Sequence, residues 1–237
     1  MSGAARLLAD LGALVSGSDL QPFEGLGALV RRNVRVVIGH DGNHVDPHVD
    51  LVVISAAVPQ SNPELVHARR GVLEVIKYAE LVGAIMDQRC GIAVAGTHGK
   101  STTTAMAAYL LREAGLDPSF LFGAQSPQLG GNAAVGEGRY FVVEACEYDR
   151  SFLHLHPSSA VILNIEPDHL DCYQTFDAVV KAFAEFAMNV AADGSLICNA
   201  EDRWAMAAAS AGGATVETFG FGADADWRAL NLREDRG

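Results

Sequence analysis

The chain has 237 residues, enough for one large or two ordinary domains, and 49% of them are apolar, which can supply real cores. A net charge of −12 with a pI near 5.0 argues against a nucleic-acid-binding face, since most of such a surface repels a phosphate backbone, but it leaves room for one local nucleotide site. No stretch reaches the length of an apolar membrane span, and the start, MSGAARLLADLGALVSGSDL, has no basic segment before a long apolar one, so the expected location is the cytoplasm.

Leu7, Leu8 and Leu11 fall at helical spacing, and residues 14–19 read as a short strand ending in Asp19. An acid at such a strand end commonly contacts a ribose hydroxyl, although Asp19 could equally cap a helix. Strands at 34–38 and 51–55 flank the turn-rich DGNHVDPHVD, whose setting makes His40, His44 and His48 read as solvated rather than metal-bound. Asn62-Pro63-Glu64 opens a helix, 72–76 forms a strand and 77–88 a helix, with a domain boundary near 89–91.

The second half opens with GIAVAGTHGKSTTT, an apolar strand running into a Gly-containing turn and a helix over 101–114. Such a turn forms a phosphate cradle: loop N–H groups and the positive helix end face the anion, with Gly96 and Gly99 allowing close approach. Thr97, His98 and Thr102 belong to the same cradle, Lys100 reaches the phosphates and the Ser101 hydroxyl is placed for Mg²⁺. Val94 stands where the strict Walker pattern has glycine, so this is a shortened variant, which disfavours an ordinary kinase or GTPase.

Further on, 119–122 reads as a strand and 123–138 as a Gly-rich loop containing Asn132. Strands at 140–145 and 159–163 deliver Glu144 and the group Asp168, His169 and Asp171 to one sheet edge, where open α/β sheets bind ligands. Carboxylates there suit Mg²⁺ or Mn²⁺, so a second cation is expected beside the cradle. A helix over 176–189, a strand at 195–198, a helix over 201–210 and a strand at 215–219 complete the pattern, and the tail from 223 carries no covering element. Alternating strands and helices imply an α/β fold with a parallel sheet covered on both faces. Cys90, Cys146, Cys172 and Cys198 form no closely spaced pair and read as reduced and mostly buried.

GTHGKSTTT, VVEACEYDRSFLHL and ILNIEPDHLDCY at these separations, with VSGSDL, IGHD and VVISAAVPQSNPEL before them, resemble the Mur ligases over nearly the whole chain. The resemblance implies a Rossmann-like, UDP-substrate-binding domain over 1–89 and a P-loop-type central ATPase domain with a mostly parallel sheet over 90–237. It implies an ATP-dependent amide ligation through an acyl phosphate, with ATP, UDP-N-acetylmuramate and L-alanine as small-molecule substrates and two Mg²⁺ sites. Carried onto this sequence, Lys100 serves the phosphates, Ser101 one Mg²⁺, Glu144 and His169 the other. Asn132 falls near the phosphates and the acyl carboxylate, and Ser18, Asp19 and Ser55 on the uridine side.

Relative to that family pattern, Met1-Ser2-Gly3 resembles the end of a Gly-rich diphosphate loop whose strand is not in the sequence, and the family's adenine-binding segment and third domain are not in it either. The expectation is a chain of about half a ligase with little activity by itself, its N-terminal domain lacking a first strand and its central domain incomplete. A muropeptide-recycling ligase and a non-catalytic nucleotide-binding fragment are the competing readings.

Overall fold

The N-terminal half contains α1 (Ser2–Asp10), β1 (Ser16–Asp19), α2 (Leu26–Val30), β2 (Arg35–Ile38), β3 (Val52–Ile54), α3 (Pro63–Arg70), β4 (Val75–Lys77) and α4 (Tyr78–Met86) in a computed structural model that describes residues 1–233. Strands β1 and β2 pair in parallel, as do β3 and β4, and each pair forms a separate two-stranded sheet. The fourth strand starts three residues later than the sequence suggests. Val72 sits in the left-handed region (φ 56°) and is exposed, so the chain is still turning there.

Local chemistry fixes the helix starts. Asn62 accepts hydrogen bonds from the Glu64 and Leu65 amides, and Pro63, which has no N–H, takes the first turn of α3. The Lys77 amide donates to Glu80 Oε2 at 2.6 Å, which ties down the start of α4.

The second half contains β5 (Cys90–Ala95), α5 (Lys100–Glu113), β6 (Ser119–Ser126), β7 (Gly131–Ala134), β8 (Tyr140–Glu144), β9 (Ser159–Ile162), α6 (Leu170–Tyr173), α7 (Phe176–Met188), β10 (Ser195–Asn199), α8 (Arg203–Ala209), β11 (Thr215–Gly220) and β12 (Trp227–Arg228). They build one eight-stranded sheet in the order β12-β11-β10-β9-β5-β8-β6-β7, parallel except where β7 returns along β6. The expected α/β architecture with a mostly parallel sheet is therefore present.

Helices cover both faces because successive strand residues point opposite ways. Phe120, Phe122 and Val142 meet Ala108 of α5 on one side. Leu121, Phe141 and Val143 share the larger core with Met86 of α4, Phe183 and Phe186 of α7 and Ala205 of α8 on the other. In α7, Val179, Ala182, Phe183, Phe186 and Ala187 recur at helical spacing, and Phe186 stacks on Phe152 with ring centroids 5.0 Å apart. Leu7 of α1 joins this core against Leu121 and Ala133, which ties the N-terminal helix to the far edge of the large sheet.

Two expectations change. The Gly-rich stretch 123–138 is largely a hairpin: β6 runs on to Ser126, a turn closes with Gly130 N–H donating to Pro127 O, and β7 returns with Ala133 fully buried. The tail is not bare either, since β12 pairs with β11 and Asp226 accepts from the Thr218 amide and hydroxyl. The last four residues of that tail lie outside the described residues. Among the cysteines only Cys198 is fully buried; Cys90 and Cys172 are half-buried and Cys146 is exposed. No described helix is long and apolar enough to cross a membrane.

Candidate phosphate and cation site

Strand β5 lies between β8 and β9, so its carboxyl end is flanked by loops from both neighbours. Val94 pairs with Glu144 on one side and with Val161 on the other. The turn after β5 needs two glycines. Gly96 has φ 145°, and a Cβ there would lie 2.9 Å from Leu163 Cβ; Gly99 has φ 84° at the start of α5. The β9 loop braces the turn from behind. The Thr97 and His98 amides donate to the Asn164 carbonyl and side-chain oxygens at 2.9 and 2.7 Å, and the Glu166 amide donates to Thr97 Oγ1 at 2.9 Å. Thr102 is exposed in the first turn of α5, and His98 is exposed with Nε2 3.6 Å from Glu166 Oε2.

Lys100 folds back over this turn. Its Nζ donates to Gly96 O at 2.6 Å, Thr97 O at 3.1 Å and Glu147 Oε1 at 3.0 Å. Ser101 Oγ donates to Glu144 Oε2 at 2.8 Å, and the same oxygen accepts from the Gly123 amide at 2.6 Å. Glu144 also faces the half-buried Tyr78 at the start of α4, whose phenol is pushed well above its usual range, first by loss of solvent and then by this carboxylate.

His169 occupies the cap position of α6 in the left-handed region (φ 51°) without capping it, so its ring is available to the site. Its Nε2 lies 3.6 Å from Glu147 Oε1 and 3.8 Å from Asp168 Oδ2, and Tyr148 packs edge-on against the ring. Glu147, Asp168 and His169 present ligand atoms within 4.8 Å of one another. Carboxylate oxygens with one imidazole suit a hard divalent cation, and the inward-facing Glu147 carboxylate, 2% exposed, fits that use. Of the expected metal residues, Ser101 meets Glu144, whereas His169, expected to share a cation with Glu144, is grouped instead with Glu147 and Asp168.

Glu147 is the site residue that the sequence reading missed. The available signal was a second acid three positions after Glu144 in EACEYD. Asn132 lies on β7 next to Ala133, which pairs with Leu121 of β6, and no hydrogen bond joins it to Lys100, Glu144 or His169.

Ser18 and Asp19 end β1 and Ser55 follows β3, each at the carboxyl end of its small parallel sheet. Ser18 Oγ donates to Glu64 Oε2 at 2.6 Å and lies 2.9 Å from His40 Nδ1. His44 Nδ1 meets the other Glu64 oxygen at 3.0 Å. Two of the three loop histidines are therefore held against the start of α3 rather than solvated, because Glu64 offers both of its oxygens to that loop. Asp19 Oδ1 accepts from the Gln21 amide at 3.2 Å, closing a turn rather than capping a helix.

A glycine-bent turn at the central strand of a parallel sheet, with lysine and serine opening the next helix and acids on the flanking loops, is an arrangement suited to holding phosphate in an α/β protein. Residues 94–237 match the Mur ligase middle domain and residues 1–89 match the Mur ligase family catalytic domain, and the chain belongs to the Mur ligase family. It is 42% identical to a UDP-N-acetylmuramate–L-alanine ligase from Caldicellulosiruptor saccharolyticus over 238 aligned residues, which take in 100% of this chain and 52% of that one. Among solved structures, the UDP-N-acetylmuramate-alanine ligase of Thermotoga maritima superposes with a TM-score of 0.81 at 27% identity, covering 92% of this chain and 49% of the other. The UDP-N-acetylmuramate:L-alanyl-gamma-D-glutamyl-meso-diaminopimelate ligase of Neisseria meningitides superposes with a TM-score of 0.85 at 28% identity, covering 92% and 74%. The chain spans about half the length of the curated relatives it matches.

Proposed function

We propose that this chain carries the ATP site and the UDP-sugar-binding part of a cytoplasmic ligase that joins L-alanine to UDP-N-acetylmuramate for peptidoglycan precursor synthesis. The observation that carries the reading is one sheet edge holding Lys100, the Ser101–Glu144 pair and the Glu147–Asp168–His169 group together. In this reading Gly96, Thr97, His98, Gly99 and Thr102 line the triphosphate, and Lys100 neutralises the β- and γ-oxygens. Ser101 with Glu144, and His169 with its acidic neighbours, hold two Mg²⁺ ions that supply charge neutralisation for phosphoryl transfer. The muramoyl carboxylate takes the γ-phosphoryl group, ADP leaves, and the alanine amine then displaces phosphate from the acyl phosphate. Residues 1–89 bind the uridine nucleotide with Ser18, Asp19 and Ser55, residues 90–237 bind ATP, and Asn132 serves the acyl end.

The identity to alanine-adding relatives over the whole chain supports the choice of substrates. The likeness to the Neisseria protein favours a second reading, in which the same ATP site activates the same sugar for a peptide rather than for alanine. Calorimetric titration of ATP or ADP with Mg²⁺ tests the shared part. Saturable one-to-one binding that Lys100→Ala weakens about 10- to 100-fold is expected, and a well-folded chain that binds no nucleotide would overturn the reading.

A further inference from the structure

Lysine has three N–H donors, and Lys100 uses all of them inside the protein, on Gly96 O, Thr97 O and Glu147 Oε1. A phosphate must therefore displace one of these acceptors. The two carbonyls belong to a turn pinned by Asn164 and Glu166, and they carry no net charge. Glu147 is the anion among the three, and it opposes any phosphate brought to the same ammonium.

Glu147 also stands between two sets of partners. Its Oε2 lies 2.9 Å from Lys100 Nζ yet has no well-aligned hydrogen bond, while Oε1 faces His169 Nε2 at 3.6 Å. Its main chain is held separately. Tyr173 Oη donates to Glu147 O at 2.5 Å, and the Arg150 amide donates to the same oxygen at 3.0 Å. The main chain at Glu147 is thus held independently of the ion pair, so the carboxylate can change partners without moving the backbone.

Resting on the nucleotide-site reading, we propose that Glu147 is a positioning residue that holds the Lys100 ammonium in reserve and releases it when a divalent cation occupies the Glu147–Asp168–His169 group, so that cation and phosphate binding are coupled through one carboxylate. The lysine is silenced while the acids are unneutralised and becomes available as they are neutralised, which prevents the cradle from taking metal-free anions.

Two measurements test this on the 237-residue chain. Isothermal titration with ADP, with and without Mg²⁺, reads the coupling. In the wild type Mg²⁺ is expected to strengthen ADP binding about tenfold or more, in Glu147→Gln the metal-free affinity rises and the enhancement shrinks to near unity, and Glu147→Asp keeps most of it. An enhancement in Glu147→Gln equal to the wild type's overturns the proposal.

The second readout needs no variant. Acylation with an amine-reactive acetyl ester, followed by mass spectrometry, reports Lys100 against Lys77 and Lys181, the other two lysines of the chain. Mg²⁺ alone should raise the labelling of Lys100, whose side chain is 12% exposed, and leave Lys77 and Lys181 unchanged. No change at Lys100 overturns the proposal even where ADP binds. A chain that melts cooperatively but binds no ADP under either condition brings down the nucleotide-site reading and this inference together.

Discussion

At the residue scale the cradle rests on a few irreplaceable side chains and two backbone angles. If Lys100 serves the phosphates as proposed, Lys100→Ala would remove charge-assisted bonds to them, and nucleotide affinity should fall by about 10- to 100-fold in calorimetric titration. Gly96→Ala forces a Cβ into a left-handed turn against Leu163, so a loss of about 1–3 kcal/mol is expected in urea denaturation, along with weaker nucleotide binding. Buried acids of low acidity give an alkaline limit. Burial pushes the Cys198 thiol from its ordinary 9.0 up to about 12, and the Tyr78 and Tyr173 phenols are likewise raised, chiefly by burial. The unfolded chain loses these protons first, so the stability they provide is present below pH 9.0 and is lost as pH rises toward about 12. Urea midpoints should drop between about pH 9 and pH 12, and the drop should be smaller in Cys198→Ala.

At the scale of elements, legibility followed how many residues share one job. Helix α7 is plain in the sequence because five core residues repeat on one face and Thr175 caps it, and β8 is plain because Tyr140–Glu144 is an unbroken β-favouring run. Strand β7 is not, because Gly131-Asn132-Ala133-Ala134 contains no β-branched residue and its pairing is set by a hairpin partner rather than by its own composition. Lys100, Ser101 and Glu144 are legible from spacing. Glu147 is hidden because it lies in the irregular segment between β8 and the turn at Asp149 and Arg150, where no periodicity says which side chain faces inward. One residue links two elements: Asp202 caps α8 through Oδ1 and accepts from the Ile165 amide through Oδ2 at 2.9 Å. Asp202→Ala should cost about 1–2 kcal/mol in thermal or urea melts and loosen the acidic loop after β9.

At the scale of the whole molecule, the two halves are unequally built. The large sheet is covered on both faces, whereas β1 to β4 form two short ribbons whose residues are mostly half-exposed or exposed. Amide hydrogen exchange should show residues 16–77 opening well before residues 90–200, and equal protection in both halves would contradict this. A polypeptide of these 237 residues alone should bind nucleotide yet release no phosphate with UDP-N-acetylmuramate and alanine, since it spans about half of its relatives and a transition state gripped from several sides is only partly enclosed. The two ribbons have one more consequence. Parallel strands ordinarily lie inside a sheet, but each ribbon leaves backbone donors and acceptors along its outer edges free of any sheet partner among the described residues. With Leu14 and Ile38 exposed beside them, those edges are templates for a passing strand, so sedimentation should show self-association growing with protein concentration and suppressed by a substitution such as Leu14→Lys.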